Sequence, residues 1–557
     1  MSIFAGKLPT AKEFATLDRP VQLEVLRRAS ARQKVRLLID AAEGEELFAL
    51  LPPQDVYLMA RELGADQLPE LMTMATPEQW TAFFDFDCWD GDHFDAREAR
   101  AWVAILLEGE SSRIAVTLQD LDFELLVLLL HREVTVLSGP EEMFDEDAMA
   151  EGRRRDCGYV LDYRDEEGAK LFGALIDVLF RHAPGFCRYL LEAVRSESEC
   201  QLEESVYQQR AGRLLDQGFP EPAVAKSVYA WLDPAHFVVG EQRKIPLGGS
   251  ATGAVPGAAL QLAQGRGLLG AALAQGVDEQ TAWELACVIN KVLMAERIDL
   301  GELDQVRDAA ERVWLTLNLA LEYLVGSEVE AGGAVEAARR CLRDEYAERL
   351  FRLGFSLTLR LQRRARSVQA LSIGPYLDRE DRLLLEPLRQ DRPQFPEVAE
   401  RPERGGMRPF ATLSDLRLVE DRLDRLEVQR RLFEERLPFP LPKPADWELA
   451  GCHPQSGGDL TLAIIFLTAL ANRLLDRPFA PQPLAGGDLA DLHALVSRSG
   501  KLDPELRAQT LAWLESLEPG AGGFGRRCLD LLEEEFCALA PADLDPRYVG
   551  GLMVRLS

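Results

Sequence analysis

Histidine is scarce in this sequence, and it never falls at the spacings that make a metal site or a catalytic base. The six are His93, His131, His182, His236, His453 and His493, and none forms an H-E-x-x-H pair. There is no G-x-S-x-G elbow, so the nucleophile turn of the α/β-hydrolases is missing. Nine cysteines are scattered along the chain, an odd number, with no C-x-x-C among them. That usage fits a reducing compartment, where cysteine acts as a small buried apolar residue. Long apolar runs are absent too. The longest, residues 460–471, includes Thr461 and Thr468 and is too short to cross a bilayer, so a buried core helix is expected there. The first ten residues hold no apolar h-region and no cleavage site, which predicts no signal peptide. The expectation is a cytoplasmic protein without membrane insertion. Positive charge is in deficit: 63 Lys and Arg face 92 Asp and Glu, for a net charge of −29. Such a surface repels phosphate backbones and anionic lipid, so nucleic acid is not an expected partner. The basic patches, residues 153–155 and 360–366, read as solvated helix faces or ion-pair partners. A basic protein partner or a divalent cation suits the charge better.

What is present is helix signal. The apolar share is 47%, that of a folded protein, and 557 residues are too many for one ordinary core. In the first hundred residues helix starts recur at intervals of about twelve residues or multiples of it. Thr10-Ala11-Lys12-Glu13, Ser30-Ala31-Arg32-Gln33 and Thr76-Pro77-Glu78-Gln79 are capping boxes, Asp18 is a further cap, and Pro52-Pro53 starts another helix. Each helix spans two or three turns, too few to stand alone, so each must bury its apolar stripe on its neighbours. The run LFALLPPQDVYLMARELGADQLPELMTMATPEQW resembles the N-terminal helical repeat domain of MgtE-type magnesium transporters. That resemblance covers residues 16–90 and implies a right-handed superhelix, not transport. The remainder, through segments such as RLLDQGFPEPAVAKSVYAWLDP and FRLGFSLTLRLQ, is similar to an uncharacterised bacterial helical family with no assigned activity.

The expected architecture is mostly all-α, with five regions. Residues 1–132 form the superhelical helix-repeat domain. Residues 133–165 form a small β-hairpin insertion, since 133–137 and 159–163 are rich in β-branched and aromatic residues around an acidic stretch, 141–151, with a short helix in the loop. Residues 166–390 are a central helical domain, interrupted by a Gly- and Pro-rich loop at 245–257. Residues 391–408 are a Pro- and Arg-rich linker. Residues 409–557 are a C-terminal helical domain. It opens on a long helix, capped by Ser414 and running to about Arg436, whose Leu416, Val419, Leu423, Leu426 and Phe433 form a coiled-coil-like seam broken by Arg430. That seam requires a partner helix, and Asp421–Arg425 and Glu427–Arg431 are spaced to pair along its surface.

The densest polar cluster is Asp85-Phe86-Asp87-Cys88-Trp89-Asp90-Gly91-Asp92-His93-Phe94-Asp95. Hard cations take carboxylate oxygens, so Asp87, Asp90 and Asp92 are the candidate ligands for Mg or Ca. The spacing is not that of an EF-hand, and a plain turn with Asp95 capping the next helix is the competing reading. Gly265-Arg266-Gly267-Leu268-Leu269-Gly270 matches G-x-G-x-x-G but follows helix-prone sequence, and Gly248–Gly253 lacks the phosphate-loop lysine, so neither predicts a nucleotide site. Cys452-His453 is adjacent in a Gly-rich loop, which does not make a dyad. Asn290 and Asn318 sit in apolar helices and must find partners, either each other or a polar pocket with Glu284 and Glu322. No catalytic residue is assigned. The leading functional expectation is a non-catalytic protein-interaction scaffold or regulatory module. The alternatives are a metal- or small-molecule-responsive regulator and an enzyme on a helical scaffold.

Overall fold

The computed structural model describes residues 9–138, 154–156, 158–245, 267–276, 278–326, 331–401, 403 and 405–556. The expected loop helix at 141–151 and the Gly-rich stretch 246–257 lie outside these residues. The chain divides into two compact units, Met1–Gly354 and Phe355–Ser557, and the division falls inside the helix Ala347–Ala370. Helices dominate both units, as the sequence predicts, with five small antiparallel sheets among the described residues.

The first unit begins with short helices whose starts are fixed locally. The reciprocal boxes at Thr10, Ser30 and Thr76 are all formed. Asp18 occupies its cap position without a side-chain bond, and Pro53 stands in the first turn of Pro53–Leu63. Gln79 does more than close its box. Its Oε1 accepts from the Thr76 amide, while its Nε2 donates to the carbonyls of Phe48 and Leu51, each at 3.0 Å. One buried amide therefore starts the helix Pro77–Asp87 and closes the end of Gly44–Ala49. Tyr57, Trp80, Phe83 and Trp102 pack edge-on and stacked beneath these helices.

The hairpin expectation is met by Val134–Ser138 paired with Tyr159–Tyr163, with Val134 opposite Tyr163. A third strand, Arg154–Asp156, joins the outer side of Tyr159–Tyr163, although its polar sequence carries no strand signal. Further along, Glu284 accepts from the Ala347 amide at 3.0 Å and so caps the helix that follows Glu345 and Tyr346. Lys244 reaches the same carboxylate at 2.9 Å.

In the second unit, residues 391–408 are not an open linker. Phe395–Pro396 pairs with Met407–Arg408, Phe395 is fully buried, and Arg408 lies over its ring at 4.0 Å. An aromatic ring and a cation that stack on each other hold this segment in place despite its proline content. The long helix is Leu413–Arg431, capped by Thr412 with Asp415 rather than by Ser414, and it ends in a π-turn, Leu432–Arg436. The cap moves because Asp415 both answers the Thr412 amide and forks onto Arg408 at 2.8 and 2.9 Å. Leu416, Val419, Leu423, Leu426 and Phe433 are buried as expected, but the polar residue in the seam is Gln429. Arg430 points out to Glu434 and Glu435. The expected pairs along the surface give way to longer ones: Glu427 meets Arg364, and Arg431 meets Glu518. The partner is internal, for Phe433 packs on Phe524 of Gly522–Leu532 at 5.6 Å. The apolar run near residue 465 is the core helix Leu462–Leu474, and no helix among the described residues is long and apolar enough to cross a membrane.

Candidate ligand cavity

The aspartate cluster disperses on folding. Asp87 is half-buried, with its side chain covered, and accepts from the Tyr57 hydroxyl and the Trp102 indole, each at 2.8 Å, with Arg61 at 3.1 Å. Asp85 is buried against Arg213 at 2.7 Å, and Asp95 caps Ala96–Leu106. Asp90 and Asp92 are left exposed around the Gly91 turn between Trp89–Asp90 and His93–Phe94. Asp87 is thus turned inward to neutral donors and a cation, away from Asp90 and Asp92. No group of three or more His, Cys, Asp or Glu among the described residues is placed to hold a metal ion.

The two asparagines do not meet. Asn290 and Gln54 form a reciprocal amide pair at 2.8 and 3.1 Å, and Asn290 also donates to the Gln217 carbonyl at 3.1 Å. Asn318 donates to Glu322 at 2.9 Å and accepts from the Leu269 amide at 3.0 Å. Gly265 and Arg266 of the G-x-G-x-x-G match lie outside the described residues. Gly267 has φ +78°, and a Cβ there would stand 2.6 Å from the Asn318 oxygen. The helix start a phosphate would need is therefore already occupied by Asn318. Cys452-His453 forms a short strand paired with Val554–Arg555 at the C-terminal end of the chain.

A partly open cavity of 410 Å³ lies in the second unit, between the helices Arg379–Leu388, Leu413–Arg431, Leu462–Leu474 and Gly522–Leu532. That volume falls in the ordinary range of small-molecule pockets, roughly 300–1,000 Å³. Its walls are apolar at Leu462, Ile464, Phe524 and Leu531. Tyr376 closes one side, with its hydroxyl donating to the Pro442 carbonyl and accepting from the Trp447 indole.

Polar residues stand among this apolar lining. Asp381 is buried, and its carboxylate accepts no hydrogen bond among the described residues; the nearest cation, Arg527, is 3.8 Å away. Burial, reinforced by Asp378 and Glu380 and opposed by Arg527 and Arg422, pushes its carboxyl up to about 7. Asp378 itself is committed, because it caps Arg379–Leu388 by accepting from the Asp381 amide at 2.8 Å. Gln429 is only 2% exposed, and its Nε2 has no partner. At the start of Leu462–Leu474, Thr461 accepts from the Ile464 amide at 3.3 Å, which leaves the Leu462 and Ala463 amides without a protein acceptor among the described residues. Cys528 also lines the cavity, but burial pushes its thiol far above the ordinary range, so it is no nucleophile. A second hollow of 530 Å³, between Ala96–Leu106 and Glu166–His182, is an open groove whose Arg100 is already spent on Glu133 and Asp165.

None of the cavity residues was singled out as a site from the sequence. One signal was available: a glutamine three residues after Leu426 and four before Phe433 lies on the buried face of an amphipathic helix, where an amide is costly unless matched.

Fold and cavity together define a mostly α-helical protein with a ligand-sized chamber in its C-terminal unit. The chain belongs to a family of unknown function (DUF6178), whose model matches residues 11–555. No curated protein and no solved structure matches it, so the resemblance of residues 16–90 to the magnesium-transporter repeat has no support from these comparisons.

Proposed function

We propose that this chain is a non-catalytic regulatory module that responds to a small molecule held in the cavity of its C-terminal unit. The observation that carries the reading is a buried acid, Asp381, without a hydrogen bond and 3.8 Å from Arg527, on the wall of one apolar cavity beside the start of Leu462–Leu474. Buried polar groups without partners are costly, and a ligand that matches them recovers that cost. The response would pass to a protein partner, and a net charge of −29 suits a basic one. A thermal-shift screen of small metabolites, run on the full chain and on Ala463→Trp, tests this. A ligand at 100 times its Kd stabilises by about 2.7 kcal/mol, enough to move the midpoint visibly. At least one compound should raise the wild-type midpoint and leave Ala463→Trp unmoved. No stabilising compound of any class at millimolar concentration would overturn the reading.

Asp381 also favours a second reading. A carboxyl poised at about 7 suits a general acid or base at neutral pH. Turnover of a bound compound, abolished by Asp381→Asn while binding persists, would move the protein into the enzyme class.

A further inference from the structure

The chain holds 92 acids in 557 residues, yet residues 355–377 hold four arginines and no acid. All four arginines lie on the helix Ala347–Ala370. Arg364 is spent within the fold, on Asp424 at 2.5 Å and Glu427 at 2.9 Å. Arg360, Arg363 and Arg366 are exposed, and their three-residue spacing keeps them on one side of the helix. Two contacts hold the chain just past Arg379–Leu388 against this part of the helix. Gln362 Nε2 donates to the Gln390 carbonyl, and Arg366 Nη2 donates to the Arg389 carbonyl at 3.3 Å. Exposed Arg389 is thereby set beside the helix arginines, with exposed Arg392 following in the same segment. Arg360, Arg366 and Arg389 have no carboxylate partner among the described residues. The exposed acids of that segment and the helix end before it are Asp391 and Glu386, so the face keeps a positive balance.

Guanidinium forks that are not spent on the fold suit carboxylates or phosphates. Neither cavity described above includes any of these five arginines, so they form open surface and not an enclosure for a small anion. Size decides among larger anions. The chain as a whole carries −29, so a DNA duplex or an anionic membrane, which spreads beyond the arginines, meets repulsion from the remaining surface. A short acidic peptide segment covers the arginines alone, and screening over about 10 Å at 0.1 M salt hides the more distant acids from it.

We infer that this arginine face docks an acidic peptide segment of a partner protein, whose Asp and Glu carboxylates pair with Arg360, Arg366 and Arg389. Clusters of arginine recognise acidic motifs by such pairing. The segment is acidic only locally, and a partner basic elsewhere meets the net charge of −29 as well. The inference is independent of the cavity and of any ligand held there.

The test is fluorescence anisotropy of a dye-labelled deca-glutamate peptide titrated with the full chain. Saturable binding is expected at about 0.01 M sodium chloride, weakening about tenfold at about 0.1 M, because the contacts are exposed charge pairs. Arg360→Ala, Arg366→Ala and Arg389→Ala together should weaken the peptide about tenfold at low salt. Arg19→Ala, Arg113→Ala and Arg307→Ala together remove the same charge from exposed arginines elsewhere and should leave binding within about twofold. Arg360→Glu alone should also weaken the peptide, and it decides the matter if the triple variant does not fold. A DNA duplex and phosphatidylserine vesicles, both wider than the arginine face, should bind more weakly than the peptide. No saturable binding of the peptide at low salt would overturn the inference, and so would an equal loss in the two triple variants. Duplex or vesicle binding as tight as that of the peptide, lost with the same three arginines, would overturn the acidic segment in favour of that other partner.

Discussion

At the scale of single residues, the fold uses buried polar side chains that each satisfy several neighbours. Asp87 accepts from two groups and pairs with Arg61, Gln79 serves two helix ends, and Asp415 joins a cap to an arginine fork. Asp381 is different, because its burial is not matched by donors, and this makes stability depend on pH with a definite sign. In the unfolded chain the carboxyl titrates near the usual 3.9, whereas in the folded chain it holds its proton up to about 7. The raised value contributes stability that is fully present below about pH 4 and is lost as pH rises through 7. Thermal midpoints of the wild type and Asp381→Asn, measured across this window, should converge in slope above neutrality. Between acid and neutral pH the variant should lack the downward trend that Asp381 imposes. Parallel curves from pH 4 to 7 would show that this group does not titrate as described.

At the scale of elements, helix starts are local while helix neighbours are set at long range. Gln54 near the start of Pro53–Leu63 and Asn290 in Glu279–Glu296 exchange two hydrogen bonds across 236 residues of sequence. Each amide is buried, so removing one strands the other. A double-mutant cycle on Gln54→Ala and Asn290→Ala should give a coupling of about 0.5–3 kcal/mol, read from denaturant midpoints. Additive effects would mean that the pair contributes nothing beyond two separate packings. The same logic applies to the coiled-coil seam of Leu413–Arg431. Its apolar residues follow the helical period, but the choice between Gln429 and Arg430 as the inward residue depends on the drift of a straight helix from a strict heptad.

At the scale of the whole molecule, electrostatic imbalance is the dominant feature. The 92 acids exceed the 63 bases by 29, so many carboxylates have no cation to pair with. Exposed ion pairs such as Arg19–Glu46 and Arg307–Asp304 are each worth about 0–1 kcal/mol and weaken in salt. Self-repulsion of the excess is relieved by the same salt, because the screening length falls from about 30 Å at 0.01 M to about 10 Å at 0.1 M. Repulsion should win, and the thermal midpoint should rise as sodium chloride is raised across that range. A falling midpoint would show that the ion pairs matter more than the surplus charge.

The sequence alone determined the helical class, the starts at Thr10, Ser30 and Thr76, the strands around residues 134–138 and 159–163, and the buried helix at Leu462–Leu474. Each rests on interactions between residues three or four apart, or on the alternation of a strand, and such patterns are written in the local order of side chains. Only the tertiary structure decided that Asp87 turns away from Asp90 and Asp92, that Asn290 meets Gln54 rather than Asn318, and that residues 391–408 fold down onto Phe395. It also gathered Asp381, Gln429, Ala463 and Arg527 around one chamber. The physical reason is the same in each case. A side chain's desolvation and its hydrogen-bond partners depend on elements far away in the sequence, and no local pattern records which helix will arrive beside it.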